Sequence, residues 1–342
     1  MTIAVAVSGG VDSLVALHLL KASGHNIFAI QFLTGYEKKE TIDHQTIMHS
    51  HLKQIGIDFQ IIDISKAFKT HVVDYFISTY AANQTPNPCV ICNAKIKFGI
   101  LADRAFQLGA DLIATGHYAQ VEKQSDRYFL KKGTDLQKDQ SYFLSMLSSY
   151  QLSKVIFPLG KWLKKDVLKY AENNNLSSMV QSESQEVCFI KQRYQDFLVQ
   201  SGQINNIPGP IKTTDGNKIG THKGLHEFTI GQRKGINCPG PYPYYVVCIE
   251  QETNTLIVGK KSDLFSNSCH IDQINWIQPP SKQSIQVEVR IRYRTPAVPA
   301  NLQIVAEDKA ILAFHSAQSA VTPGQIAVFY QENKVLGAGM IN

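Results

Sequence analysis

The sequence predicts an α/β protein: a doubly wound parallel-sheet domain at the amino-terminal end, followed by two small β-rich domains. Three observations carry this expectation. Short apolar runs alternate with helical stripes over the first half of the 342 residues; glycine- and proline-punctuated strands replace them after about residue 200; and a strictly alternating run begins at Ser284. A chain of this length exceeds one ordinary core, and the expected units are 1–200, 201–268 and 269–342.

Element by element, Ile3 to Val7 is a short buried strand, Ser8 to Asp12 a glycine turn, and Val15, Leu19 and Leu20 a helical stripe stopped by Gly24. The unit recurs as NIFAIQFL, a polar helix near Thr41 to Ile55, IDFQIIDI, a helix ending near Ala82, and ADLIATG. Strands joined through helices pair in parallel and place ligands at their carboxyl ends. Farther on, NIPGPIKTTDGNKIGTHKG and NCPGPYPYYVVCIE carry turns and no helical stripe. From Ser284, Ile285, Val287, Val289, Ile291 and Tyr293 share one face, and Gln286, Glu288, Arg290, Arg292 and Arg294 the other. With AILAF and IAVFY this predicts a small antiparallel barrel or sandwich.

Bulk properties narrow the setting. No long apolar run follows the start, and MTIAVAVSGG goes straight from a strand pattern into glycines without the charged region of a signal peptide, which predicts a cytosolic protein with no membrane partner. Six scattered cysteines in such a chain are expected as reduced thiols rather than as a disulfide framework. The net charge is a modest +6, but Lys123 to Tyr170 holds ten Lys/Arg against four Asp. That balance suits a polyanion partner; a solvated helical face would give the same run.

The stretch AVSGGVDS joins a buried strand to a helix through two glycines, which lets backbone N–H groups approach an anion at the positive helix end. No Gly-Lys-Ser/Thr follows, and the third glycine of a dinucleotide fingerprint is missing. The stretch resembles the PP-loop of the ATP pyrophosphatases, which split ATP between its α and β phosphates. That resemblance implies that Ala6, Val7, Ser8, Gly9, Gly10, Val11, Asp12 and Ser13 hold ATP and Mg2+.

Downstream, TPNPCVICNAKIKF sets Cys89 and Cys92 at the start of a helix behind two prolines. A zinc site would want a second pair of ligands, and the nearest histidines, His222 and His226, have no cysteine close in sequence. A redox pair is the weaker reading downstream of an ATP loop, although a helix start should lower a thiol pKa and favour a nucleophile. Cys188, in ESQEVCFI, would alone read as a half-buried small hydrophobe.

Taken in order, SGGVDS, TPNPCVICNAKIKF, ATGHYA, KDQSYFL, FPLG, SQEVCFI, FTIGQRKG, VRIRYR and VTPGQIAVFY resemble the successive motifs of the tRNA-specific 2-thiouridylase family, from Ser8 to about Tyr330. The resemblance implies that the C2 oxygen of a wobble uridine is adenylated by ATP and then replaced by a persulfide sulfur, giving 2-thiouridine, AMP and pyrophosphate. It implies Cys92 as nucleophile and Cys188 as the persulfide carrier or disulfide partner of Cys92. Asn87, Pro88 and Cys89 would meet the base. Phe32 and Gly116 would line the ATP site, and His117, Lys138, Asp139, Gln140, Arg292, Tyr293 and Gln325 would touch tRNA. Implied partners are the tRNAs for lysine, glutamate and glutamine, with a sulfur-relay protein or cysteine desulfurase as donor.

The sequence departs from the family pattern at Cys89, where many members carry Asp as a proposed proton carrier. Cys89, Cys92 and Cys188 together raise the alternative of an iron–sulfur cluster with one open iron. Glu183 for Asp and Phe228 for Tyr are milder departures. Phosphate contacts are expected from the arginine face of VRIRYR and from the lysines between Lys161 and Lys169. Two rival classes stay open: a PP-loop ligase acting on a small metabolite, and a tRNA-binding protein without catalysis.

Overall fold

The computed structural model describes residues 1–37, 39–176, 187–191 and 193–342, the segment 39–45 by its backbone alone. The Glu183 substitution lies outside the described residues. Strands β1 (Thr2–Ala6), β2 (Asn26–Leu33), β3 (Phe59–Asp63) and β4 (Leu112–Ala114) are followed by a hairpin of β5 (Ala119–Gln124) and β6 (Arg127–Lys132), and then by β7 (Val155–Ile156). The first sheet runs β3-β2-β1-β4-β7 with every pair parallel, as the alternation predicts.

Alternate residues of β1 bury opposite faces. Ile3 and Val5 pack with Leu14, Leu17, Met48 and Leu52, whereas Ala4 packs with Ile30, Phe98, Leu101 and Ile113. The sequential strands lead outward from β1 on one side and β4 lies on the other, so a crevice opens above the carboxyl ends of β1 and β4.

A second sheet holds β8 (Gly209–Thr213), β9 (Lys218–His222), β10 (Tyr245–Glu250) and β11 (Thr255–Gly259) in the order β10-β11-β8-β9. Its core is Ile211, Phe228, Val246, Leu256 and Val258. The last six strands are β12 (Phe265–Trp276), β13 (Ser284–Arg290), β14 (Val298–Ala306), β15 (Lys309–Ser319), β16 (Ile326–Gln331) and β17 (Lys334–Ile341). They run β12-β15-β14-β13-β16-β17, and pairing of β12 with β17 closes them into a barrel. Val287, Val289, Leu302, Leu312 and Phe329 fill it.

Two features depart from the sequence reading. The β5–β6 hairpin joins the edge of the barrel through Lys131 opposite Lys334, and Tyr142 and Leu144 share one core with Ile326, Val328, Tyr330 and Val335. The chain's two ends are therefore packed into one body. Second, β13 stops at Arg290 and the chain turns, Thr295 donating its N–H to the Arg292 carbonyl. Arg292 and Tyr293 thus leave the alternating face to which the period assigned them.

Candidate active site

The loop after β1 is built around small residues. Gly9 takes φ +82°, a left-handed conformation that favours glycine, and Gly10 precedes the helix Val11–Ala22. Ser13 Oγ donates to the Gly10 carbonyl at 2.8 Å and accepts from the Ser8 N–H at 3.2 Å, which draws the loop over the helix start. The segment after β4 crosses that turn so closely that a Cβ on Gly116 would lie 2.7 Å from the Asp12 carbonyl carbon and 2.8 Å from the Ser13 nitrogen. Phe32, near the end of β2, packs against two cores, one holding Ala4, Ile30 and Phe98 and the other Phe68, Cys92 and Phe189. A glycine turn at the start of a helix suits the phosphates of ATP.

Asp12 stands at the loop's mouth. Lys164 Nζ donates to both its carboxylate oxygens, at 2.9 and 2.8 Å, and the Tyr118 hydroxyl donates to Oδ1 at 2.7 Å. Asp12 is the carboxylate suited to magnesium, a hard cation that prefers oxygen ligands. The sequence groups Lys164 with the lysines expected to face RNA phosphates. It instead turns inward, because it opens the helix Lys164–Asn173 where Val167 and Ala171 pack against Val11 and Val15.

The cysteine segment begins with a capped turn. Asn87 precedes the helix Pro88–Ile91, its side chain accepting from the Val90 N–H at 3.4 Å, and Pro88 occupies a first-turn position whose N–H would have no partner. From Cys92 to Ile100 the backbone is a π-helix, a rare form frequent at functional sites. Cys92 and Lys97 lie five residues apart, one hydrogen-bonded π turn. No residue period in the sequence announced this.

Cys92 is buried among Phe68, Phe76, Ile96, Phe189 and Ile190. The last two follow Cys188 directly, so their insertion into the same core brings Cys188 towards Cys92, close enough for a charge on Cys188 to raise the Cys92 pKa. Cys89 and Cys188 reach the surface, and all three thiols are free. The helix start was expected to lower the Cys92 pKa, but desolvation wins. Burial pushes the thiol up to about 12 against an opposing pull from Lys97. Burial also raises Cys89 and Cys188.

Among the described residues, no three His, Cys, Asp or Glu side chains stand close enough to share a metal ion. The three cysteines are therefore not disposed as cluster ligands, and the cluster alternative is set aside.

The residues expected at tRNA divide sharply. Lys138 is exposed. His117 is enclosed by Phe98 and Phe157 and shares a 2.7 Å hydrogen bond with Thr115 Oγ1; desolvation, with a smaller push from Lys97, takes its pKa well below the ordinary histidine value. Gln140 is held by Tyr118, whose N–H donates to its side chain at 3.0 Å, and Tyr293 packs on Phe143 with ring centroids 4.3 Å apart.

Asp139 is only 2 % exposed. It accepts from the Gly133 and Ser141 N–H groups, both at 3.0 Å, and from Arg290 Nη1 at 3.1 Å. A direct tRNA contact does not fit such a buried post. Of the arginine face, Arg294 is exposed, whereas Arg290 and Arg292 have partners within the protein. Arg290 pairs with Asp139, and Arg292 donates to the Ile230 carbonyl at 3.1 Å, the Ala320 carbonyl at 2.8 Å and Thr322 Oγ1, tying the connection between β9 and β10 to the one between β15 and β16. Gln325 donates to the carbonyls of Thr85 and Pro86.

Sequence reasoning missed Lys97, Tyr118 and the inward turn of Lys164. The ICNAKIKF block did contain Lys97, but a period of 3.6 puts it well away from Cys92 on the helix.

Comparison with known proteins agrees with this architecture. A family model described as the tRNA methyl transferase HUP domain matches residues 1–192, a tRNA methyl transferase PRC-barrel domain 195–260, and an aminomethyltransferase beta-barrel domain 266–341. The tRNA-specific 2-thiouridylase MnmA of Desulfosudis oleivorans is 47 % identical over 340 residues, covering 99 % of this chain and 94 % of that protein. The chain belongs to the tRNA-specific 2-thiouridylase (MnmA) family. MnmA proteins of Trichlorobacter lovleyi, 41 % identical over 99 % of this chain and 97 % of theirs, and Syntrophotalea carbinolica, 38 % identical over 99 % and 98 %, also align from end to end. Family membership accounts for the pairing of an ATP loop with a cysteine segment, and brings ATP and magnesium with it.

Proposed function

We infer that this chain is an ATP-dependent sulfurtransferase that converts the wobble uridine of tRNA to 2-thiouridine. The observation that carries the reading is one of placement. Gly116 presses on the loop after β1 beside the crevice above β1 and β4, and Cys92 packs in one core with Phe189 and Ile190, the residues that follow Cys188.

In this reading the loop amides bind the phosphates, and magnesium supplied at Asp12 offsets their charge. The C2 oxygen of uridine attacks the α phosphorus, the bond to the bridging oxygen breaks, and pyrophosphate leaves. Adenylation makes that oxygen a good leaving group. The outer sulfur of a persulfide on Cys188 attacks C2, and AMP departs with the original oxygen. The Cys92 thiolate then attacks the inner sulfur, forming a Cys92–Cys188 disulfide and releasing 2-thiouridine; two-electron reduction by a thiol donor resets the pair. Asn87 to Cys89 face the base, and exposed Lys138 contributes to backbone binding. The donor is a sulfur-relay protein or cysteine desulfurase, the tRNAs are those for lysine, glutamate and glutamine, and the setting is the cytosol.

The test is AMP release with Mg-ATP, a persulfide donor and unmodified tRNA. Release should require tRNA and collapse when cytidine replaces the wobble uridine. ATP turnover on a small carboxylic acid without RNA would overturn the reading.

A further inference from the structure

The sulfur that the transfer to uridine leaves unused is that of Cys89. Cys89 lies in the first turn of the Pro88–Ile91 helix, and Cys92 closes the same turn: its N–H donates to the carbonyls of both Pro88 and Cys89, and its backbone angles stay helical. Three residues of helix separate two Cα atoms by about 5 Å, inside the range of about 4.4–6.8 Å that a disulfide spans. Two cysteines at this spacing on a helix start form the pattern used in thiol–disulfide exchange.

The three thiols differ in what can reach them. Cys89 and Cys188 are exposed, whereas Cys92 is 9 % exposed and sits among Phe68, Phe76, Ile96, Phe189 and Ile190. Once sulfur transfer has joined Cys92 to Cys188, Cys188 can accept no further persulfide, and the Cys92 sulfur meets few thiols from solution. Cys89 is held beside Cys92 by the helix itself, so its attack is intramolecular and precedes attack by a dilute external thiol. The Lys97 charge favours the thiolate form of all three, the form that exchange requires.

We propose that Cys89 is the resolving thiol of the cycle: it moves the disulfide from Cys92–Cys188 to Cys89–Cys92 and returns Cys188 to the thiol form before any reductant acts. The Cys89 thiolate, its proton having passed to solvent, attacks the Cys92 sulfur. The Cys89–Cys92 bond forms, the Cys92–Cys188 bond breaks, and the departing Cys188 thiolate takes a proton from water. The exchange involves no net oxidation; a dithiol reductant later supplies two electrons by attack at exposed Cys89. Persulfide donor and reductant thus act on different sulfurs. The proposal rests on the Cys92–Cys188 disulfide of the sulfur-transfer reading.

The experiment is a single turnover by protein loaded with glutathione persulfide, freed of small thiols and mixed with tRNA and Mg-ATP. Acid quenching, alkylation with N-ethylmaleimide and disulfide mapping by mass spectrometry follow. The wild type should show Cys89–Cys92 with Cys188 alkylated. C89S and C89A should stop at Cys92–Cys188, with Cys188 alkylation lowered at least about tenfold. With a dithiol reductant present, their later turnovers should slow relative to their own first. A second arm needs no turnover: C188S treated with oxidised glutathione should close Cys89–Cys92 with its circular dichroism unchanged. If the wild type retains Cys92–Cys188 with Cys188 unreactive, or if folded C188S forms no Cys89–Cys92 bond, the proposal fails. A wild type that makes 2-thiouridine without forming any disulfide overturns the Cys92–Cys188 step itself, and the proposal with it.

Discussion

Gln325 donates its side-chain amide to the carbonyls of Thr85 and Pro86, at 2.9 and 3.0 Å, so a residue near the carboxyl end holds the two residues leading into the Pro88–Ile91 turn. Thr85 returns its N–H to the Pro323 carbonyl at 2.9 Å, and Gly324 passes so close that a Cβ there would lie 2.8 Å from the Thr85 carbonyl oxygen. The barrel thereby acts on the cysteine segment directly, in addition to any grip it has on RNA.

Gln325→Ala should therefore slow sulfur transfer. Two hydrogen bonds of about 1 kcal/mol each predict up to a roughly thirtyfold fall in single-turnover thiolation, with KM for ATP unchanged. A wild-type rate would mean that the Asn87 cap holds the loop unaided.

Asp139→Ala tests the buried post. Removing one partner of an enclosed ion pair leaves the Arg290 guanidinium uncompensated, a loss of about 3–5 kcal/mol. Urea unfolding should register it, while tRNA affinity per folded molecule and its salt slope stay unchanged. Intact stability with weakened tRNA binding would restore Asp139 as an RNA contact.

What the sequence disclosed follows from where its information is local. Parallel strands announce themselves as apolar runs, and AVSGGVDS as a strand, a glycine turn and a helix start, because each depends on neighbours within a few residues. The fates of Arg290, Arg292 and Asp139 depend on partners more than 25 residues away, such as Ala320 for Arg292. A strand period cannot tell a solvent-facing arginine from one tied to a distant carbonyl. The Cys92 pKa escapes the sequence for a related reason: the helix start is local and visible, whereas the desolvation around Phe76 and Phe189 is assembled from remote segments.

Gly116→Ala should remove nucleotide binding. Its methyl group would meet the Asp12 backbone at 2.7 Å, and neither chain can retreat without moving the phosphate loop. Mg-ATP affinity should drop by at least roughly tenfold, as expected where only glycine permits close backbone approach, while tRNA binding persists. Wild-type ATP affinity would place the nucleotide elsewhere.

Proton release at Cys92 should be suppressed in the free protein. Its thiol, at about 12, lies above the ordinary cysteine value of 9.0 because burial disfavours the thiolate. The folded state thus keeps a proton that the unfolded chain sheds above pH 9. The associated stability is fully present below that pH and is lost as pH rises from 9 towards 12. Alkylation should follow the same order. In a C89S/C188S protein, the iodoacetamide rate at Cys92, followed by mass spectrometry, should stay low through pH 9 and climb only near 12, and K97M should move the climb higher still by removing the opposing charge. Adding tRNA and Mg-ATP should shift the profile down, since sulfur transfer needs the thiolate near neutral pH. A free-protein profile centred near 9 would mean that Cys92 is poised before its substrates arrive, and that the apolar wall of Phe68, Phe76 and Phe189 does not govern its reactivity.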